Sequence, residues 1–147
     1  MTMNFVKDAI SQAIESTKLN LREVDAQLSS SIRQEVEQLY GEKKSSQPLW
    51  ERLTDDVSRH DPDGWKTIGD YPYQNKVTMF FDYENESTMY SLNNVKDVTR
   101  LLSECPGFVF YVTNDELSFL LCHNDHDYLI GAGDAKNWIV ESDTILS

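Results

Sequence analysis

Apolar residues return at threes and fours over the first forty positions, and the rhythm then shortens to twos. Phe5, Val6, Ile10, Ala13 and Ile14 form one stripe, and Leu21, Val24, Leu28, Ile32, Val36 and Leu39 form a second. Asn20 and Glu23 have the spacing of an N-cap with its capping-box partner, so a second helix is predicted from Leu21, with Gly41 as its stop. The stripe over 21–39 spans fewer heptads than a coiled-coil seam sustains, so packing on the domain's own sheet is expected. An oligomer through the N-terminal helices is the other use of that stripe. After the polar loop EKKSSQP, Pro48 suits a first helical turn, and Trp50, Leu53 and Val57 predict a helix through PLWERLTDDVSRH.

From Trp65 the segments become short, β-branched and aromatic. WKTI, KVTMFFDY and STMYSL read as strands, the last two joined by YENES as a hairpin. NNVKDVTRLLSECPG reads as a helix with Asn94 as N-cap, Val95, Val98, Leu101 and Leu102 on one face, and Pro106-Gly107 as its end. FVFYVT, LSFLLCH and DYLIGA are three more strands with connections short enough for hairpins, and GDAKNWIVES is a closing helix. The expected fold is α+β: a mainly antiparallel sheet of about six strands with helices on one face or at one end. N-terminal helices precede it, one helix separates the strand groups, and a C-terminal helix follows. At 147 residues this is one domain, a helical part over 1–45 and a sheet part over 46–147.

The charge changes the picture. Net charge is −12, and residues 101–147 hold eight acids against the single base Lys136. A nucleic-acid backbone and an anionic membrane surface are repelled by such a chain, while a basic protein partner is steered toward it. No run approaches the ~20 apolar residues of a membrane span. The N-terminus lacks an apolar leader with a cleavage pattern and reads as mature, so the cytoplasm is the expected location. Cys105 and Cys122 match no zinc spacing and make no disulfide framework; Cys122, inside LSFLLC, is expected to be a buried inert thiol.

The stretch CHNDHDYLIGAGDAKNW, Cys122 to Trp138, concentrates the candidate chemistry. His123, His126, Asp125 and Asp127 are the residue types of a divalent-metal site. In a tight turn between strands, however, side chains alternate faces, and Asn and Asp serve the turn's own backbone. Turn chemistry is therefore the preferred reading, with a small metal-dependent enzyme or metal-binding domain as the alternative. A meeting of His60 with His123 would favour the metal. Gly131 and Gly133 lack the third glycine of a dinucleotide loop, and Asp134 as an N-cap would repel a phosphate. They are expected to serve turn geometry or close strand–helix packing. No nucleophile motif is present. The carboxylate pairs Asp55-Asp56 and Glu84/Glu86 are expected to be solvated, the first of them on a helix.

In layout and acidity the chain resembles the small bacterial immunity proteins of the SUKH superfamily, with FVFYVTNDELSFLLC in the place of sheet core. DYLIGAGDAKNW also resembles the recurrent core of an uncharacterised bacterial family of similar length. The first resemblance implies an immunity role, and the expected function is a non-enzymatic, cofactor-free domain that binds a basic protein, with occlusion of a basic toxin as one form. The expected partner-binding residues are Glu84, Glu86, Asp125 and Asp127, which would pair with lysine and arginine, and Tyr83, which would fill a cleft.

Overall fold

A computed structural model of the protein describes residues 5–42 and 47–146, so residues 43–46 of the expected polar loop lie outside the described residues. The order is α1 (Phe5–Thr17), β1 (Arg22–Glu23), α2 (Ala26–Tyr40), β2 (Asp56–His60), α3 (Gly64–Thr67), β3 (Val77–Phe80), β4 (Tyr90–Leu92), α4 (Val95–Leu102), β5 (Phe110–Thr113), β6 (Phe119–His123), β7 (Tyr128–Gly133) and α5 (Ala135–Leu146). Single 3-10 turns occupy Leu49–Glu51 and Ile68–Asp70. Among the described residues seven strands form one antiparallel sheet in the order β1-β4-β3-β5-β6-β7-β2. The fold is α+β, with one strand more than the sequence pattern suggests.

Every residue of β3, β5 and β6 is buried, so the centre of the sheet is dry on both faces. Register assigns the faces, because side chains opposite one another across a ladder share a side. Met79, Val112, Leu121 and Gly131 fall on the first face, where Val6 and Ile10 of α1, Val98 and Leu101 of α4, and Ile139 of α5 cover them. Phe80, Tyr111, Cys122 and Ile130 fall on the second face, under Val36 of α2 and Leu49. Helices therefore lie on both faces, not on one, because a strand apolar on both sides needs cover on both.

Three local expectations are overturned. The helix expected through residues 48–60 is a 3-10 turn followed by the edge strand β2, whose burial alternates as Val57 and Arg59 turn inward. The spacing of Trp50, Leu53 and Val57 imitates a helix, but the ladder to β7 supplies five paired positions that decide the matter. WKTI is not a strand: Trp65 to Thr67 belong to α3, seated on α4 through the Thr99 hydroxyl, which donates to the Trp65 carbonyl at 3.2 Å. The second helix begins five residues late. Asp25, not Asn20, is its N-cap, accepting from the Leu28 amide at 2.9 Å, and Arg22–Glu23 pair with β4 instead. Gly41 ends α2 as expected, and Asn94 caps α4 by accepting from the Asp97 amide at 2.9 Å.

Gly131 fixes how closely α5 approaches the sheet. A β-carbon there would lie 2.6 Å from Ile139 Cγ1 and 3.0 Å from the Ala135 carbonyl oxygen. Gly133 has φ +60, and a β-carbon would meet the Ser118 carbonyl oxygen at 2.6 Å. The expected uses of both glycines, close packing and turn geometry, are what the fold makes of them. Gly131→Ala should lower the unfolding free energy by about 1–3 kcal/mol through overpacking. Gly107→Ala, where no atom lies within 4 Å of the added carbon, should stay within about 0.5 kcal/mol of the native chain. Urea unfolding of the two variants measures the contrast.

Candidate partner-binding site

The register Phe80↔Tyr111, Phe110↔His123, His123↔Leu129 and Arg59↔Leu129 sets one end of the sheet. The segments 61–63, 81–89, 103–109 and 124–127 all leave from that end. Together they carry eight acids (Asp61, Asp63, Asp82, Glu84, Glu86, Glu104, Asp125 and Asp127) and no lysine or arginine. No single window of sequence contains this concentration, because the four segments come from distant parts of the chain.

The turn 124–127 is held by its own polar groups. The buried Asn124 carboxamide oxygen accepts from the amides of His126 and Tyr128, both at 3.0 Å, and Asp127 adopts the left-handed backbone at φ 64. Asp125, His126 and Asp127 are thereby turned into solvent. The loop 81–89 is anchored differently. The Tyr111 hydroxyl donates to the Asp82 carboxylate at 3.0 Å and accepts from the Trp50 amide at 3.0 Å, and the Leu49 amide donates to the same carboxylate at 2.9 Å. Burial, reinforced by nearby Cys122 and Asp82, pushes the Tyr111 hydroxyl far above its ordinary value, so it stays a donor at any physiological pH. The anchored loop presents Tyr83, which is 67% exposed, and Glu84.

Glu86 departs from expectation. Its side chain is buried and accepts from the Thr88 amide at 2.9 Å, because the loop needs an internal acceptor where it turns back to β4. It is a structural carboxylate, not part of an exposed face. Asp61 is similarly engaged, by Arg59 at 3.2 Å. Glu84, Glu104, Asp125 and Asp127 stand in solvent.

The histidines do not converge. His123 is buried on the first face, its Nε2 2.9 Å from the Asp61 carbonyl oxygen. His60 faces the other side, edge-on to Tyr128, since Tyr128 and Leu129 alternate across β7. His126 lies at the turn tip with its ring edge on Trp50, centroids 5.6 Å apart. Among the described residues no three His, Cys, Asp or Glu side chains come together in a way that could hold a metal ion. Of the alternative set His123, His126, Asp125 and Asp127, only Asp125 and His126 approach one another, at 3.8 Å on the turn tip, while His123 is buried at the end of β6. The pair Asp55-Asp56 lies at the start of an edge strand rather than on a helix. Asp55 is tied to Lys136 at 2.7 Å, and partial burial raises the Asp56 pKa.

Two cavities flank the acidic end. The one on the second face, about 300 Å³, is lined by Arg33, Arg52, Phe80, Asp82, Tyr83 and Tyr111 among others. Arg33 lies 5.8 Å from the Phe80 ring centroid and 5.4 Å from that of Tyr83, and donates to the Phe81 carbonyl at 2.9 Å; its Nη2 is buried without a protein acceptor. Desolvation lowers its pKa, with Asp82 and Glu37 opposing. The cavity on the first face, about 380 Å³, lies among Trp65, Leu102, Cys105, Phe108, Phe110 and His123, with Asp125 and Asp127 at its rim. Arg33 carried one sequence signal, a cation three residues before the buried Val36 on the same helix face; Trp65, Cys105 and Phe108 carried none, since they meet only in the fold.

No family model, curated protein or solved structure matches the chain.

Tyr111→Phe removes the donor to Asp82 and leaves the Trp50 amide without its acceptor, so it should cost about 1–3 kcal/mol by chemical unfolding. Ionisation gives a second expectation. Burial pushes the Cys105 thiol from 9.0 up to about 11 and the Tyr71 hydroxyl from 10.0 up to about 12. Above about pH 9 the unfolded chain then binds fewer protons than the folded one, so stability should fall as pH climbs through that window. Urea midpoints at about pH 8 and about pH 10.5 should show the decline, and Cys105→Ser should lessen it.

Proposed function

We propose that the protein is a non-enzymatic binding domain that occludes a basic protein partner with the acidic end of its sheet. One observation carries this reading: four segments distant in sequence, none of them containing lysine or arginine, meet at one end and expose Asp63, Glu84, Glu104, Asp125 and Asp127 there. Such a field attracts a cationic surface and speeds its encounter. Glu84, Asp125 and Asp127 offer the exposed carboxylates, and Tyr83, next to Glu84 in the chain, offers apolar contact area. Aromatic anchors within a charged rim are the residue types that hold protein interfaces together. The mode of action is steric: carboxylates pair with lysine and arginine of the partner and the tyrosine fills its cleft. Inhibition of a basic toxin by an immunity protein, as the sequence resemblance implies, is one form of that action.

Affinity capture on the native chain, followed by repurification and titration of the captive, tests this. A basic protein binding at one-to-one stoichiometry is expected. The variant Glu84→Gln/Asp125→Asn/Asp127→Asn should slow its association about tenfold at low ionic strength and weaken the salt dependence. A captive of acidic or neutral charge, or rates indifferent to both salt and the variant, would overturn the reading.

A further inference from the structure

Resting on that reading, we infer that the cavity on the first face of the sheet is the receptor for a single arginine side chain of the partner. Its walls are aromatic and aliphatic: Trp65, Leu102, Phe108 and Phe110. The rim carries the exposed carboxylates Asp125 and Asp127, and no lysine or arginine lines it. The cavity on the second face differs on this point, because two cations of the chain itself, Arg33 and Arg52, already line it among Glu37, Asp82 and Glu84.

The shape of the chemistry is that of an amphipathic cation. An apolar stem loses water against the walls while the charged head meets the carboxylates at the mouth. Arginine fits better than lysine, because its guanidinium is planar, weakly hydrated and stacks on aromatic rings. Trp65 already receives a cation, with Lys66 Nζ 5.4 Å from its ring centroid; that charge is offset by Asp63 at 3.6 Å. His123 also lines the cavity, its ring held in place from behind. A carbonyl oxygen can only accept, so Nε2 is the nitrogen that donates to Asp61. The ring's Nε2 edge is turned toward Gly64, where an added β-carbon would lie 3.3 Å from Nε2.

The test needs no partner protein. Nα-acetyl-arginine amide and Nα-acetyl-lysine amide are titrated into the ¹⁵N-labelled full chain at low salt. Saturable shifts of the Trp65 indole and the Asn124 carboxamide are expected with arginine, with a Kd on the order of millimolar for so small a ligand. Lysine should bind several-fold more weakly. Asp125→Asn/Asp127→Asn should weaken arginine binding about tenfold or more. Asn at 127 accepts the left-handed backbone, so this variant keeps the turn. No shift at tens of millimolar arginine, an equal response to lysine, or full binding by the variant would each overturn the inference. The two proposals fail separately. A basic captive that still depends on Glu84, with no arginine binding, removes only the cavity's role; arginine binding without a basic captive removes the occlusion reading and leaves the cavity.

Discussion

The structure depends on a sheet whose three inner strands are buried on both faces. β3, β5 and β6 expose no residue, so neither face can be left to water, and the chain must lay helices on both. The first face takes four helices and the second takes α2 with the 3-10 turn at Leu49. With both faces covered, polar connections can only leave at the ends of the sheet.

The polar node beneath the acidic end follows the same logic. Tyr111 must sit on the second face because Phe80, across the ladder, does, and its ring stacks on Phe80 with centroids 5.1 Å apart. Its hydroxyl is then buried and requires partners in both roles, which Asp82 and the Trp50 amide supply. Asp82 in turn holds the loop that displays Tyr83 and Glu84. A buried hydroxyl thus positions an exposed surface, and packing and proposed function share one hydrogen-bond chain. In the turn between β6 and β7 the buried Asn124 does the same for Asp125 and Asp127.

Much of the sheet was legible in the chain. Continuous runs such as Phe119–His123 between turn residues read as buried strands, and the caps Asn94 and Gly41 were visible because their chemistry is local. Errors came where two patterns fitted one stretch. Residues 50–57 have helical spacing yet end in an edge strand, and WKTI is β-prone yet helical, because β7 and α4 respectively offered those segments their partners. Glu86 looked like its neighbour Glu84 in sequence; only the path of the loop separates a buried acceptor from an exposed charge. The two cavities could not be read at all, since their walls come from segments distant in the chain, from Arg33 to Tyr111 in one and from Pro62 to Asp127 in the other.

By itself, the sequence determined the α+β class, the antiparallel succession of the last three strands, the turn at 124–127 and a net charge of −12. All of these rest on residue type and short-range spacing. Tertiary structure alone decided the strand order, the covering of both faces, the dispersal of the three histidines and the gathering of eight acids at one end. Those are matters of which distant segments become neighbours, and cross-strand register and helix packing settle that through contacts no local pattern encodes.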